Sequence, residues 1–273
     1  IFASDFDLGI MGEAYYDAGS EANYGGDFSA WNNGWAYRND NVDIQNNEDP
    51  LSNGYNVGWI ESDEWMQYTL KDPTSGLYNI KVRVATEDND GSFYFKINDN
   101  QVTDLINVPN TESWTNWSFI NIDSLVVYDT DDKFVFQVKT GTFNLGFFEF
   151  ERIGDINLLQ TKYISSFTLS ENSININFNK NLDNTSTLNK SDFILNINDQ
   201  EKDIQNVNYS SSPRSIIINF DTEIQPTDII TISYTGNSVM ALDGETLISF
   251  NNEVVENKIS YIHTIPGKIE AEH

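Results

Sequence analysis

The chain of 273 residues has no cysteine, two histidines and only 15 basic residues against 42 acidic ones. Without cysteine there is no disulfide framework and no thiolate metal site. His263 and His273 both lie near the C-terminus, which leaves no material for a histidine-dependent triad or a multi-histidine zinc site. A net charge of −27, with a pI near 4.1, repels phosphate backbones and anionic lipid, so neither nucleic acid nor a membrane surface is an expected partner. No apolar run approaches the roughly 20 residues of a membrane-spanning helix. No twelve-residue segment carries a 3.6-residue period either, so helices are not expected.

What the chain does have is 39% hydrophobic and 13% aromatic residues, ample for packed cores in one or two domains. Four of the six tryptophans fall between Trp31 and Leu70. Turn signals at Asn33-Gly34 and Ser52–Gly54 divide that stretch, and two runs in it, Val42–Gln45 and Trp59–Leu70, have the composition of strands. Further on, Tyr78, Ile80, Val82 and Val84 alternate with polar neighbours, as do Phe93, Phe95 and Ile97, and then Phe134, Phe136 and Val138. That period of two predicts half-buried strands. Phe143–Phe150 is apolar on both faces around Gly146, which predicts a bulge there or burial on both sides. Many short strands with turns every eight to twelve residues predict a sandwich or jelly roll.

All tryptophans precede residue 118, and beyond Asp155 the composition shifts to Ile, Asn, Ser and Thr. We therefore expect a boundary near Arg152–Asn157. The second segment alternates again at Ile174, Ile176 and Phe178, at Ile216, Ile218 and Phe220, and at Ile230, Ile232 and Tyr234. About seven short strands in about 105 residues fit an immunoglobulin-like sandwich. The absence of an initiator methionine and the closing IPGKIEAEH suggest a piece of a longer chain.

Carboxylate pairs for glycoside hydrolysis are available near the aromatic stretch at Glu13, Asp17, Glu61, Asp63 and Glu64, although 42 acids make such pairs common by chance. Acidic turns at 88–90 and 128–132 offer oxygen to calcium, without EF-hand spacing. The aromatics on polar loops say more. A sugar ring offers an apolar C–H face and a rim of hydroxyls, so its site needs aromatic platforms with Asn, Glu or Asp beside them. Trp31, Trp35 and Tyr37 sit among Asn, Gly and Ser. Trp114 and Trp117, three apart in a strand, face opposite ways and leave one ring available. Tyr37, Trp114, Asn144 and Glu13 form a candidate set.

The segments GEAYYD, AYRNDNVDIQ, NGYNVGWIESDEWMQYTL, VPNTESWTNW and GTFNLGFFEF, in that order, resemble the family 6 carbohydrate-binding modules of bacterial polysaccharide-degrading enzymes over about residues 1–151. The resemblance implies a β-jelly roll whose sugar site lies among the loops at one end, where a Tyr and a Trp clamp the sugar and an Asn bonds its hydroxyls. By motif these are Tyr37, Trp114 and Asn144, with Glu13 as a fourth. The stretch DFSAWNNGW looks like an insertion that extends or walls off the site through Trp31 or Trp35. Such modules commonly open IEAED and carry Asp or Asn after the Asn-Leu pair, with acids among these serving a structural calcium. Here the opening is IFASD and the later position is Gly146, so no cofactor is assigned, calcium being the one the resemblance would supply.

The second segment resembles the immunoglobulin-like repeats of large secreted bacterial proteins, and IPGKIEAEH resembles the opening strand of another sugar-binding module. The expected organisation is then an all-β chain with a jelly roll over 1–153, a smaller immunoglobulin-like spacer over 154–262, and a linker with the start of a further module over 263–273. The function expected is non-catalytic binding of a neutral β-linked polysaccharide, of xylan, β-glucan or agarose type, by a monomeric, secreted module that serves a catalytic domain of the same parent chain. The alternatives are a glycoside hydrolase and a cell-surface adhesin.

Overall fold

The computed structural model describes residues 1–18, 37–38 and 42–260, and almost all of its regular structure is β. Numbered in chain order, six strands form the first sheet: β1 (Tyr15–Tyr16), β4 (Trp65–Thr69), β10 (Lys133–Thr140), β6 (Ser92–Ile97) and β7 (Asn100–Gln101) in that order, with β8 (Ile106–Asn107) also on β6. The second sheet runs β2 (Ile44–Asn46), β3 (Tyr55–Val57), β11 (Asn144–Gly154), β5 (Gly76–Thr86), β9 (Ser113–Val127). Together they make a jelly-roll sandwich. The alternation read from the sequence explains its core: Phe134, Phe136 and Val138 of β10 register with Ile97, Phe95 and Phe93 of β6, and all six are buried. Phe148 of β11 joins the sheets, with its ring centroid 5.4 to 5.7 Å from those of Phe95, Phe134 and Phe136. As expected from its two-sided pattern, β11 slips register against β5 between Leu145 and Phe147, a bulge at Gly146. Trp59 departs from expectation. It lies in a loop, and the strand begins six residues later at Trp65.

Residues beyond Gly154 build a smaller sandwich with its own buried cluster. One sheet runs β12 (Tyr163–Ser170), β13 (Ser173–Phe178), β17 (Ser215–Phe220), β16 (Ile204–Tyr209); the other runs β15 (Gln200–Lys202), β14 (Phe193–Ile197), β18 (Ile230–Tyr234), β19 (Phe250–Val255). The two sandwiches are tied together by polar contacts. Arg214, just before β17, reaches the β9–β10 turn of the first sandwich, and Lys139 at the end of β10 pairs with Glu256 at 3.1 Å.

Candidate functional site

Antiparallel connectivity brings the β3–β4 loop, the β5–β6 turn, the start of β9 and the β10–β11 loop to the same end of the jelly roll. Thr86, fully buried at the end of β5, holds three of them. Its amide donates to Thr111 Oγ1 at 2.8 Å, its hydroxyl donates to Thr142 O at 2.7 Å, and that hydroxyl accepts from the Asp88 amide at 2.9 Å. The Thr142 amide in turn donates to Ile60 O at 2.8 Å. Gly141 permits this approach, since a Cβ there would lie 2.2 Å from Ile60 O.

These loops enclose a pocket of about 520 Å³ lined by Trp59, Glu61, Asp88, Trp114 and Asn144, with Gln45, Ile60, Thr142 and Phe143. Trp59 and Trp114 keep 43% and 37% of their surface exposed, unusual for rings this large. Trp59 adopts φ +47°, a left-handed backbone that a bulky residue reaches only when its surroundings impose it. Thr142 at +80° and Glu112 at +69°, two residues before Trp114, share that strain, so three of the rim's loops are held in costly conformations. Asn144 is 96% buried. Its Nδ2 donates to Trp114 O at 2.8 Å, fixing the backbone of the second tryptophan. A Cβ on Gly58 would come within 3.0 Å of Asn144 Oδ1 and 3.2 Å of Gln45 Nε2, so glycine lets both amides crowd the floor.

The expected residues are only partly brought together. Trp114 and Asn144 share the pocket, as expected. Tyr37 does not line it: its ring lies 4.4 Å from that of Tyr55, and its hydroxyl bonds Asp5 and accepts from Asn53, beside the opening residues of the chain. Glu13 lies on the outer face of the first sheet, with Gln67 and Lys133. Trp31 and Trp35 fall outside the described residues. Sequence reasoning missed Trp59, because the run Trp59–Leu70 reads as one strand. The signal that could have found it is the Gly58-Trp59 pair at the end of β3, where glycine marks a break. Trp117 is half-buried against Gly146, opposite in role to Trp114.

Among the hydrolysis candidates, Asp17 and Glu64 are both buried and interact. Burial, and then the Asp17 charge, push the Glu64 carboxyl up to about 8. Neither lines the aromatic pocket, where the acids are Glu61 and Asp88.

No cluster of three or more His, Cys, Asp or Glu that could hold a metal occurs among the described residues. The positions at which the family resemblance would place calcium ligands do not fit one. Phe2 packs edge-on against Phe147 at 5.9 Å, buried Ser4 accepts from Asn53 at 3.0 Å, and Gly146 faces Arg83. The guanidinium of Arg38 donates to the carbonyls of Ser4, Phe6 and Asp7 and supplies the positive charge there.

One end pocket of the first sandwich thus combines two exposed tryptophans with the buried amide of Asn144 and the partly buried one of Gln45. Residues 36–152 match the family described as "Carbohydrate binding module (family 6)", a span that contains every residue lining the pocket. Similar solved structures include a carbohydrate-binding module from lichenase 5A of Cellvibrio mixtus in complex with cellotriose, 25% identical, covering 41% of this chain and 87% of that one with a TM-score of 0.37. The C-terminal module of LamC, a marine laminarinase from Zobellia galactanivorans, is 26% identical and covers 41% of this chain and 88% of that one, with a TM-score of 0.37. A β-1,3-glucan-binding module from Bacillus halodurans is 20% identical, covering 40% and 85% with a TM-score of 0.36. No curated protein matches the chain.

Proposed function

We propose that the first sandwich, residues 1–153, is a non-catalytic carbohydrate-binding module that stacks a sugar on Trp59 and Trp114 and bonds its hydroxyls through Asn144, Gln45 and the carboxylates of the rim. The observation that carries this reading is the pairing of two half-exposed tryptophans in one pocket with a buried, fixed amide. Aromatic faces bind the C–H face of a pyranose, and pre-positioned polar groups select its hydroxyl pattern. The ligand class is a neutral β-linked polysaccharide, with single-site affinity of roughly micromolar to millimolar. Residues 154–262 are an immunoglobulin-like spacer. The parent is a secreted, monomeric, multimodular polysaccharide-degrading enzyme, whose catalytic domain gains local substrate concentration from the tether.

Affinity electrophoresis against laminarin, lichenan, xylan, hydroxyethylcellulose and agarose tests the reading. Retardation by at least one polymer, lost in Trp59→Ala and in Trp114→Ala, supports it. Release of reducing sugar from any of them would replace it with the hydrolase reading, Glu61 and Asp88 being the acid pair in the pocket.

A further inference from the structure

The pocket's charge is one-sided. Among the described residues it is lined by two carboxylates, Glu61 and Asp88, and by no base. The segments outside the described residues that flank Tyr37 and Arg38, 19–36 and 39–41, contain no Lys or Arg in their sequence and so bring no compensating charge. Arg38, the first base of the chain, is committed to the carbonyls of Ser4, Phe6 and Asp7. Arg83 is committed to Asp49 at 2.8 Å. We propose that Glu61 and Asp88 are the specificity-determining residues of the two-tryptophan pocket, accepting hydroxyl hydrogen bonds from uncharged sugars and rejecting saccharides that carry carboxylate or sulfate groups. This rests on the saccharide-binding reading above.

The physical reason is local. A carboxylate accepts from sugar hydroxyls at hydrogen-bond distance, whereas a uronate or sulfate brought to the same place meets like charge with no cation in the described lining to neutralise it. The neighbouring Asp43 registers that field: burial, and then the charge of Glu61, push its carboxyl up to about 6. The net charge of −27 also repels anions, but from a distance and only at low salt. Contacts within a few ångströms survive ionic strengths that screen the far field. The two sources of repulsion therefore separate experimentally.

The full chain and its Glu61→Gln/Asp88→Asn variant are run through gels containing laminarin, hydroxyethylcellulose, carboxymethyl-laminarin or carboxymethylcellulose, at about 0.05 M and about 0.5 M NaCl. Both side chains are exposed, and a thermal melt checks that the variant is folded. The original chain is expected to prefer the neutral polymer over its carboxymethylated form by about tenfold or more at both salts, and the variant to narrow that ratio to about threefold or less. Loss of the preference at high salt in the original chain would assign it to net charge and overturn the proposal. A variant that keeps the full preference would overturn it equally. Failure of the original chain to bind either neutral glucan would instead count against the underlying reading for β-glucans, and the proposal would fall with it.

Discussion

Arg214 donates to Asp131 across 2.6 Å with both side chains almost wholly buried, and this pair joins the two sandwiches. The same guanidinium donates to Val126 O and Asn181 Oδ1, each at 3.1 Å, and lies 5.2 Å from the Tyr128 ring centre. Tyr128 closes the loop by accepting from the Asn181 amide at 3.1 Å. The β9–β10 turn that receives Arg214 is at the end of the jelly roll opposite the tryptophan pocket, while Lys139, at the other end of β10, pairs with Glu256 of the second sandwich at 3.1 Å. Burial holds the Asp131 carboxyl above its ordinary value, even though Arg214 pulls the other way. Removing one partner of such a buried pair costs more than removing both, since a lone buried charge keeps its desolvation cost without its attraction.

Asp131→Ala, which strands a buried guanidinium, is expected to destabilise the junction by about 3 to 5 kcal/mol and to split one thermal transition into two. Asp131→Leu with Arg214→Met, which removes both charges, should cost far less. Differential scanning calorimetry of the two variants checks the contrast, and equal losses would show that the charge pair itself supplies the stability.

Trp59→Ala and Trp114→Ala should each weaken saccharide binding by at least about tenfold, roughly 1.4 kcal/mol or more. Tyr37→Ala should change binding by less than about threefold and act on stability, because its contacts are to Tyr55, Asp5 and Asn53. Calorimetric titration with the polymer that retards the protein decides between Trp59 and Tyr37 as the partner of Trp114.

Glu64 gives a pH signature. Its carboxyl is held up at about 8 in the folded state against 4.5 for the ordinary group. The folded protein thus retains a proton that the unfolded chain releases, and this group's contribution favours folding most below about pH 4.5, falls as pH rises to about 8, and is flat beyond. Glu64→Gln keeps an acceptor for the Ala18 amide, which lies 3.2 Å from Glu64 Oε1, and removes the charge. It should raise stability at pH 8 by on the order of 1 kcal/mol or more, with little gain at pH 4. Denaturant midpoints at the two pH values test this.

Chelation should leave the jelly roll unmoved. With Phe2, Ser4 and Gly146 at the positions where calcium ligands are expected, dialysis against EDTA is predicted to shift the melting temperature by less than about 2 °C. Stoichiometric calcium retained after dialysis, with a larger shift on its removal, would contradict this.

The sequence by itself determined the all-β character and the alternation that fills both cores, and it narrowed Gly146 to a bulge or burial on both faces. These depend on which residues neighbour each other along the strand, and a two-residue period is visible in one dimension. Trp114 and Asn144 were legible as candidates too, because each stands at the start of a strand directly after a turn-rich loop. The tertiary structure alone decided that Trp59, not Tyr37, shares their pocket, because the choice rests on where loops from four separate strands converge and on a left-handed backbone at Trp59 that no spacing reveals. It alone decided, too, that Arg214 is buried against Asp131, 83 residues away in the chain, since burial of a charge depends on a partner supplied by another sandwich.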